Sequence, residues 1–106
     1  MSILLVETYV VRAEKQAEFT PLLHEFLKYK EDHAQLFDGL KSWKLYKQDS
    51  GQPATPYMEI WEFESLAQRE EVRSRIHADE GMKRIIAQFH QLLESPTCMG
   101  IWSPAV

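Results

Sequence analysis

The fold follows from the stretch Pro56-Tyr-Met-Glu-Ile-Trp-Glu-Phe-Glu-Ser-Leu66, in which a strand pattern passes directly into a helix pattern. Residues 57–63 are rich in aromatic and branched side chains and contain neither Gly nor Pro, which is typical of a β-strand. Ser65 can cap the N-terminus of a helix, and Gln68 stands three positions later, where it completes a capping box. We therefore expect a strand that leads straight into a helix.

The rest of the chain carries the patterns of further strands and helices. Period-two alternation indicates strands, and apolar residues at three- and four-residue steps indicate helices. We predict strands over 3–11, 40–48 and 97–102 and a loop over 49–55. We also predict three helices: one that runs to about residue 37 with an irregularity at Pro21, one from Ser65 to about residue 77, and one that Asp79 caps and Ser95-Pro96 ends. This βαββαβ order is that of the ferredoxin-like α+β fold, with a four-stranded antiparallel sheet in which strand one lies between strands three and four.

The first strand is apolar on both faces. One face carries Ile3, Leu5, Tyr9 and Val11, interrupted by Glu7, and the other carries Leu4, Val6, Thr8 and Val10. Such a strand is normally covered on both sides, but a chain of this length has helices enough for one face only. A second copy of the chain is the simplest cover for the other face, so we expect a homodimer.

Length, charge and cysteine content exclude several classes of protein. The 106 residues predict a single domain over 1–106. The net charge of −4 argues against nucleic acid and against an anionic membrane surface as partners, and the N-terminal apolar run is too short for a signal peptide or a membrane span. Basic residues over 69–84 alternate with acidic ones, which predicts a solvated helix surface. Cys98 is the only cysteine, so no disulfide can form within the chain, which fits a reducing cytoplasm.

The chain resembles the dimeric α/β-barrel proteins. Three stretches carry the likeness: Glu-Thr-Tyr-Val-Val in the first strand, Met-Glu-Ile-Trp-Glu-Phe-Glu-Ser-Leu-Ala at the strand–helix junction, and Ile-His-Ala-Asp-Glu-Gly-Met-Lys at the end of the following helix. They are similar to the NIPSNAP-like branch and, more distantly, to the antibiotic-biosynthesis monooxygenases. The resemblance implies a homodimer whose two sheets pack face to face, and a ligand cleft between the sheet and the helices of each protomer.

The resemblance does not fix an activity, because these proteins include cofactor-independent monooxygenases, haem-degrading enzymes, isomerases and members with no known activity. The haem-degrading members use an Asn on the first strand, a Trp on the helix and a His near the helix end. Glu7 stands at the Asn position here, the helix around Val72 has no Trp, and only His77 matches. Haem oxygenation is therefore not expected, and we predict no cofactor.

Two carboxylates on the predicted strands are the first candidates for a functional site. Glu7 and Tyr9 share a face of strand one, and Tyr57, Glu59 and Trp61 share a face of strand three. If these are the same face, the two carboxylates meet among aromatic rings, where burial raises the pKa of a carboxyl group and suits it to act as a general base. The alternative is that either glutamate pairs with Lys or Arg, within the chain or across a dimer.

The histidines and tryptophans offer further candidates. His77 precedes a helix break, where it can act as a proton shuttle or simply favour the helix dipole. His24 can face the cleft from the first helix, whereas His33 and His90 are predicted at the surface. No His pair has the four-residue helical spacing of a metal site, and we predict no bound metal. Trp43, Trp61 and Trp102 lie on strands, either as core or dimer packing or as walls of an aromatic-ligand pocket.

Two hypotheses of function follow. In the first, the protein binds a small aromatic or carbonyl compound, Glu7 or His77 takes a proton from it, and Tyr9 and Trp61 orient its ring. His24, Tyr57 and Glu59 are further predicted ligand contacts, and the chemistry is monooxygenase-like without a cofactor. In the second, the protein is a non-catalytic binding or assembly protein whose cleft is collapsed. A cleft that touches Glu7, Trp61 and His77 would favour the first hypothesis, and a packed interior the second.

Overall fold

The computed structural model describes residues 2–49 and 55–106, so the predicted loop over 49–55 lies mostly outside the described residues. Within these residues the elements are β1 (Ile3–Val11), α1 (Gln16–Asp32), β2 (Leu40–Lys47), β3 (Thr55–Phe63), α2 (Leu66–Ala78), α3 (Glu80–Gln91) and β4 (Cys98–Trp102). Two short 3-10 turns, Ala13–Lys15 and Ala34–Phe37, flank α1. The predicted element order and the ferredoxin-like α+β fold are confirmed.

The four strands form one antiparallel sheet in the order β2-β3-β1-β4. Strand β1 therefore lies between β3 and β4, as the ferredoxin-like order predicted, and its two-sided apolar pattern agrees with that position. In the register of β1 with its neighbours, Glu7 lies directly opposite Glu59 on β3 and Met99 on β4. Because directly paired residues point to the same side of a sheet, the two glutamates share a face.

The irregularity predicted at Pro21 is wrong, because α1 begins at Gln16 and continues through Pro21 without a break. A 3-10 turn over Ala13–Lys15 precedes the helix. The α-helix ends at Asp32, and a second 3-10 turn completes the helical run to Phe37. Gly39 then reverses the chain with a φ of 104°, a left-handed conformation that side chains with a Cβ rarely adopt.

The two helix starts that the sequence indicated are both capped. The Ser65 Oγ accepts a hydrogen bond from the Gln68 N–H at 3.2 Å, and the Asp79 Oδ2 accepts one from the Met82 N–H at 3.0 Å. Asp79 also accepts a hydrogen bond from the Tyr29 hydroxyl at 2.6 Å, which ties α1 to the start of α3. These contacts fix the three helices relative to one another on one side of the sheet.

The core lies between the sheet and the helices. Buried residues come from the helix-facing side of β1 and β3 and from the facing stripes of the helices: Leu5, Tyr9, Val11, Phe63, Phe19, Leu22, Val72, Ile76, Met82 and Ile85. The opposite, outer face of the sheet carries Leu4, Val6, Val10 and Ile60, which stay partly exposed, and Tyr46 and Trp102, which are exposed. None of the described helices is both long enough and apolar enough to span a bilayer.

Candidate functional site

A cavity of about 340 Å³ lies between the helix-facing side of the sheet and the helices. Residues of all four strands and of α1, α2 and α3 line it. Its walls are mostly apolar and aromatic, with Phe19, Phe26, Trp43, Trp61 and Phe89 among them. Glu7, Trp61 and His77 all contact the cavity. The interior of the described protein is therefore not collapsed at the place where the sequence predicted a cleft.

Two carboxylates form the floor of the cavity on the sheet. Glu7 of β1 and Glu59 of β3 face each other in register and both line the cavity, so the convergence that the sequence left conditional is present. Glu59 is only 9% exposed, and the Trp43 indole N–H donates a hydrogen bond to its Oε1 at 2.9 Å. The Tyr9 hydroxyl also lies within hydrogen-bonding reach of this carboxylate. The Trp61 indole lies near it too, although its N–H makes no hydrogen bond of normal geometry.

Burial and mutual repulsion raise the pKa values of this pair. Burial raises the pKa of Glu59, while hydrogen bonds from Trp43 and Tyr9 and the nearby Trp61 indole N–H partly offset the rise. The pKa of Glu7 is raised to about 7, first by burial and second by the charge of Glu59, against a smaller opposing effect of Arg69. Neighbouring carboxylates do not both ionise easily. With a pKa of about 7, Glu7 can take up and release a proton near neutral pH.

Tyr9 also lies on the cavity floor, where its hydroxyl is a hydrogen-bond donor. Burial and the neighbouring Glu59 raise the pKa of Tyr9 well above its ordinary value, so the hydroxyl stays protonated. Its ring packs edge-to-face on Phe89 at 4.8 Å and stacks on Tyr57 at 5.8 Å. Tyr57, which we predicted as a ligand contact, is not among the cavity-lining residues. It packs behind Tyr9, and its hydroxyl donates a hydrogen bond to the Gln16 Oε1 at 3.2 Å.

Basic side chains line the cavity from the helices. Arg69 and Arg73 come from α2, His77 from the last turn of α2, and His90 from α3. Arg73, His77 and His90 are exposed, which marks where the cavity reaches the surface. Burial, followed by the charges of Arg73 and Arg69, lowers the pKa of His77, so this imidazole is mostly neutral at pH 7.

The prediction that the charged residues of α2 form a solvated surface is wrong for Arg69. Its side chain is 14% exposed and lies in the cavity wall, where its Nη2 contacts the Met99 Sδ at 3.7 Å. The reason is helical spacing: positions 69, 72, 73 and 76 form one stripe, and the buried Val72 and Ile76 define its direction. The same spacing in the sequence could have identified both arginines.

The histidine predictions are wrong for His24 and incomplete for His90. His24 is exposed on α1 and is not among the cavity-lining residues, because the neighbouring buried stripe of Phe19 and Leu22 points about 100° or more away from it. His90, predicted as a plain surface residue, is exposed but lines the cavity. His33 stacks on the Tyr29 ring at 3.9 Å, away from the site.

The arrangement suits proton transfer to an enclosed organic ligand. Aromatic walls exclude water, the acidic pair offers an exchangeable proton site, and the cationic rim can hold a negative group. Among the described residues, no three His, Cys, Asp or Glu side chains lie together as a metal site requires.

Comparisons with known proteins agree with the fold. The sequence model of the NIPSNAP family matches residues 5–99. A crystal structure of a NIPSNAP family protein from Agrobacterium tumefaciens is 24% identical, with a TM-score of 0.77 over 98% of this chain and 86% of that chain. A Mycobacterium tuberculosis protein is 16% identical, with a TM-score of 0.72 over 100% and 97% of the two chains. A putative antibiotic biosynthesis monooxygenase from Caulobacter crescentus is 15% identical, with a TM-score of 0.72 over 99% and 91%. No curated protein matches the sequence.

Proposed function

The chain belongs to the NIPSNAP family, and from the geometry of its cavity we propose that it binds a small aromatic or carbonyl compound and removes a proton from it. The observation that carries this proposal is the Glu7–Glu59 pair on the floor of an aromatic-lined cavity. A carboxyl group whose pKa lies near 7 has the driving force and the protonation state that a general base needs at neutral pH.

In the proposed reaction, Glu7 accepts a proton from an acidic C–H or O–H of the ligand. The electron pair stays on the ligand, where the ring or carbonyl delocalises it. Trp61 and Tyr9 orient the ring. His77, at the exposed end of the cavity, then exchanges the proton with solvent.

The more specific part of the proposal is that the deprotonated ligand is then oxygenated. A ligand anion made in this way can react with O₂, and conversion of a CH₂ group to C=O with release of water consumes one O₂ and needs no external reductant. The fold that this chain shares with proteins described as antibiotic biosynthesis monooxygenases supports this choice of reaction. The open cavity favours it over a non-catalytic assembly protein with a packed interior.

We further propose that the protein is a cytoplasmic homodimer whose subunits meet through the outer face of the sheet. That face presents the partly exposed Leu4, Val6 and Ile60 beside the exposed Trp102, and contiguous apolar surface of this kind marks interaction sites. Cys98 as the only cysteine supports a reducing compartment.

Small molecules that copurify with the protein test the proposal. Native mass spectrometry of the purified protein should show about one bound molecule per chain, and the released compound should contain a ring or a carbonyl group. With that compound, the Glu7→Gln variant should lose turnover by roughly 100-fold or more while it keeps the dimer, since general-base catalysis contributes about that much. The control Glu94→Gln removes an exposed carboxylate outside the cavity and should keep full turnover. Full turnover in Glu7→Gln would contradict the assigned role.

A further inference from the structure

The cavity holds groups of opposite charge. Its floor carries the carboxyl groups of Glu7 and Glu59, while α2 and α3 contribute Arg69, Arg73 and two histidines to its lining. A ligand that fills this space meets a proton acceptor on the sheet and guanidinium groups on α2. Charge therefore restricts which small molecules fit.

The two arginines are available for a ligand. The salt bridges of the described residues include neither Glu7 nor Arg73, so these two opposite charges do not neutralise each other through a direct ion pair. Among the ion pairs of the described residues, Arg69 contacts its neighbour Glu70, whose side chain is 58% exposed while that of Arg69 is 14% exposed. Because the Glu70 carboxylate reaches solvent, a ligand carboxylate can replace it at the guanidinium group. Guanidinium groups bind carboxylates through two parallel hydrogen bonds.

The volume of the cavity and the charges in it restrict the class of ligand further. A volume of about 340 Å³ lies at the lower end of the range for ligand pockets, about 300–1,000 Å³, which suits a small molecule. A phosphate group would bring a charge of about −1.5 to −2 into a cavity that already holds two carboxyl groups, whereas a carboxylate brings one negative charge. A monoanion is therefore favoured over a phosphate ester.

We propose that the ligand is an aromatic carboxylic acid, held with its carboxylate at Arg69 and Arg73 and with a hydroxyl or enolisable carbonyl group at Glu7. This inference rests on the proposed function, since it names the ligand class for the same cavity. The acid group orients the molecule, so that the weakly acidic substituent is delivered to the base. The positioning residues Arg69 and Arg73 then decide which compounds bind, and Glu7 decides which of the bound compounds react.

The test compares an acid with its neutral ester. The probe is 4-hydroxybenzoate, which has about ten non-hydrogen atoms, and the matched neutral probe is methyl 4-hydroxybenzoate. Calorimetric titration of the full chain at pH 7 should show the acid binding about tenfold to hundredfold more tightly than the ester, the ratio expected for a hydrogen-bonded charge. That preference should disappear in Arg69→Gln and in Arg73→Gln, with little change in affinity for the ester.

Matched variants separate charge from folding. Arg84→Gln removes an exposed arginine of α3 that does not line the cavity, and it should keep the preference for the acid. Arg73 is exposed, so its replacement tests the proposal even if the more buried Arg69→Gln fails to fold. Circular dichroism identifies such a failure.

The outcomes distinguish this inference from the proposed function. Equal affinity of the acid and the ester, or a preference that survives in both arginine variants, overturns the inference and leaves a neutral ligand in the same cavity. If neither probe binds and no small molecule copurifies, both the inference and the proposed function are wrong. A preference for the acid that depends on the arginines supports the inference.

Discussion

Replacement of Glu7 by Gln should stabilise the folded protein at pH 8 and have little effect at pH 4.5. The unfolded carboxyl ionises near its ordinary pKa of 4.5, whereas the folded one keeps its proton to about pH 7. The stability that this proton contributes is fully present below pH 4.5 and is lost as the pH rises to 7, because the unfolded state then binds fewer protons than the folded state. Gln carries no charge to desolvate, so the variant avoids that loss.

The free energy of unfolding of the variant should exceed that of the natural protein by up to about 3 kcal/mol at pH 8. The pKa of Glu7 is raised from 4.5 to about 7, and a difference of one in pKa corresponds to about 1.36 kcal/mol. The gain is smaller where water reaches the half-buried side chain. The charged groups that face Glu7 act on its pKa in opposite directions: Glu59 raises the pKa of Glu7, and Arg69 lowers it. The substitution also removes a negative charge beside Glu59, so ionisation of Glu59 becomes easier in the variant.

Urea unfolding at pH 4.5, 6 and 8, at one protein concentration, measures this effect. The difference between Glu7→Gln and the natural protein should grow with pH and level off above pH 7. Glu94→Gln, an exposed position, should stay within about 0.5 kcal/mol at every pH. A Glu7→Gln protein that unfolds at lower urea than the natural protein at pH 8 would contradict the raised pKa.

A lysine at Val6 should convert the proposed dimer into folded monomers. Val6 points to the outer face from an inner strand of the sheet, between Ile60 of β3 and Gly100 of β4. An unpaired charge buried in an interface costs about 3 kcal/mol or more. A two-fold axis places the substitution in the interface twice, so the dissociation constant should rise by about 10⁴-fold. The isolated subunit should keep its fold, because Val6 stays partly exposed there.

Sedimentation over a range of protein concentrations measures the dissociation constant. Gln88→Lys introduces the same charge at an exposed position of α3 and should leave the dimer intact. A Val6→Lys protein with the same molar mass as the natural one would show that the outer face is not the interface. A natural protein that is monomeric at micromolar concentration would refute the dimer itself.

The parts of the fold that local signals determine were predictable. Alternation along β1 assigned its faces, Ser65 and Asp79 marked helix starts, and the order of patterns identified the ferredoxin-like topology. The irregularity predicted at Pro21 is absent, because a proline alone does not show where its helix begins, and α1 begins five residues before it at Gln16.

The candidate site was predictable only in part, because it depends on contacts between distant elements. Alternation placed Glu7 and Glu59 on definite faces of their own strands, but a shift of one residue in strand pairing would have separated them. Arg69 and Arg73 lie on a helix with few apolar residues, so the charged neighbours of α2 concealed its buried stripe. His24 is next to a strong stripe in sequence but outside it in space.

An NMR titration of the side-chain carboxyl carbons, in ¹³C-glutamate-labelled protein between pH 3 and 9, tests the acidic pair most directly. Glu7 should titrate with a midpoint near 7 and Glu59 above its ordinary range, and the Glu7 midpoint should move down towards that range in Glu59→Gln. If both glutamates titrate below about pH 5 in the natural protein, the cavity floor holds no exchangeable proton at neutral pH, and the proposed base catalysis is wrong.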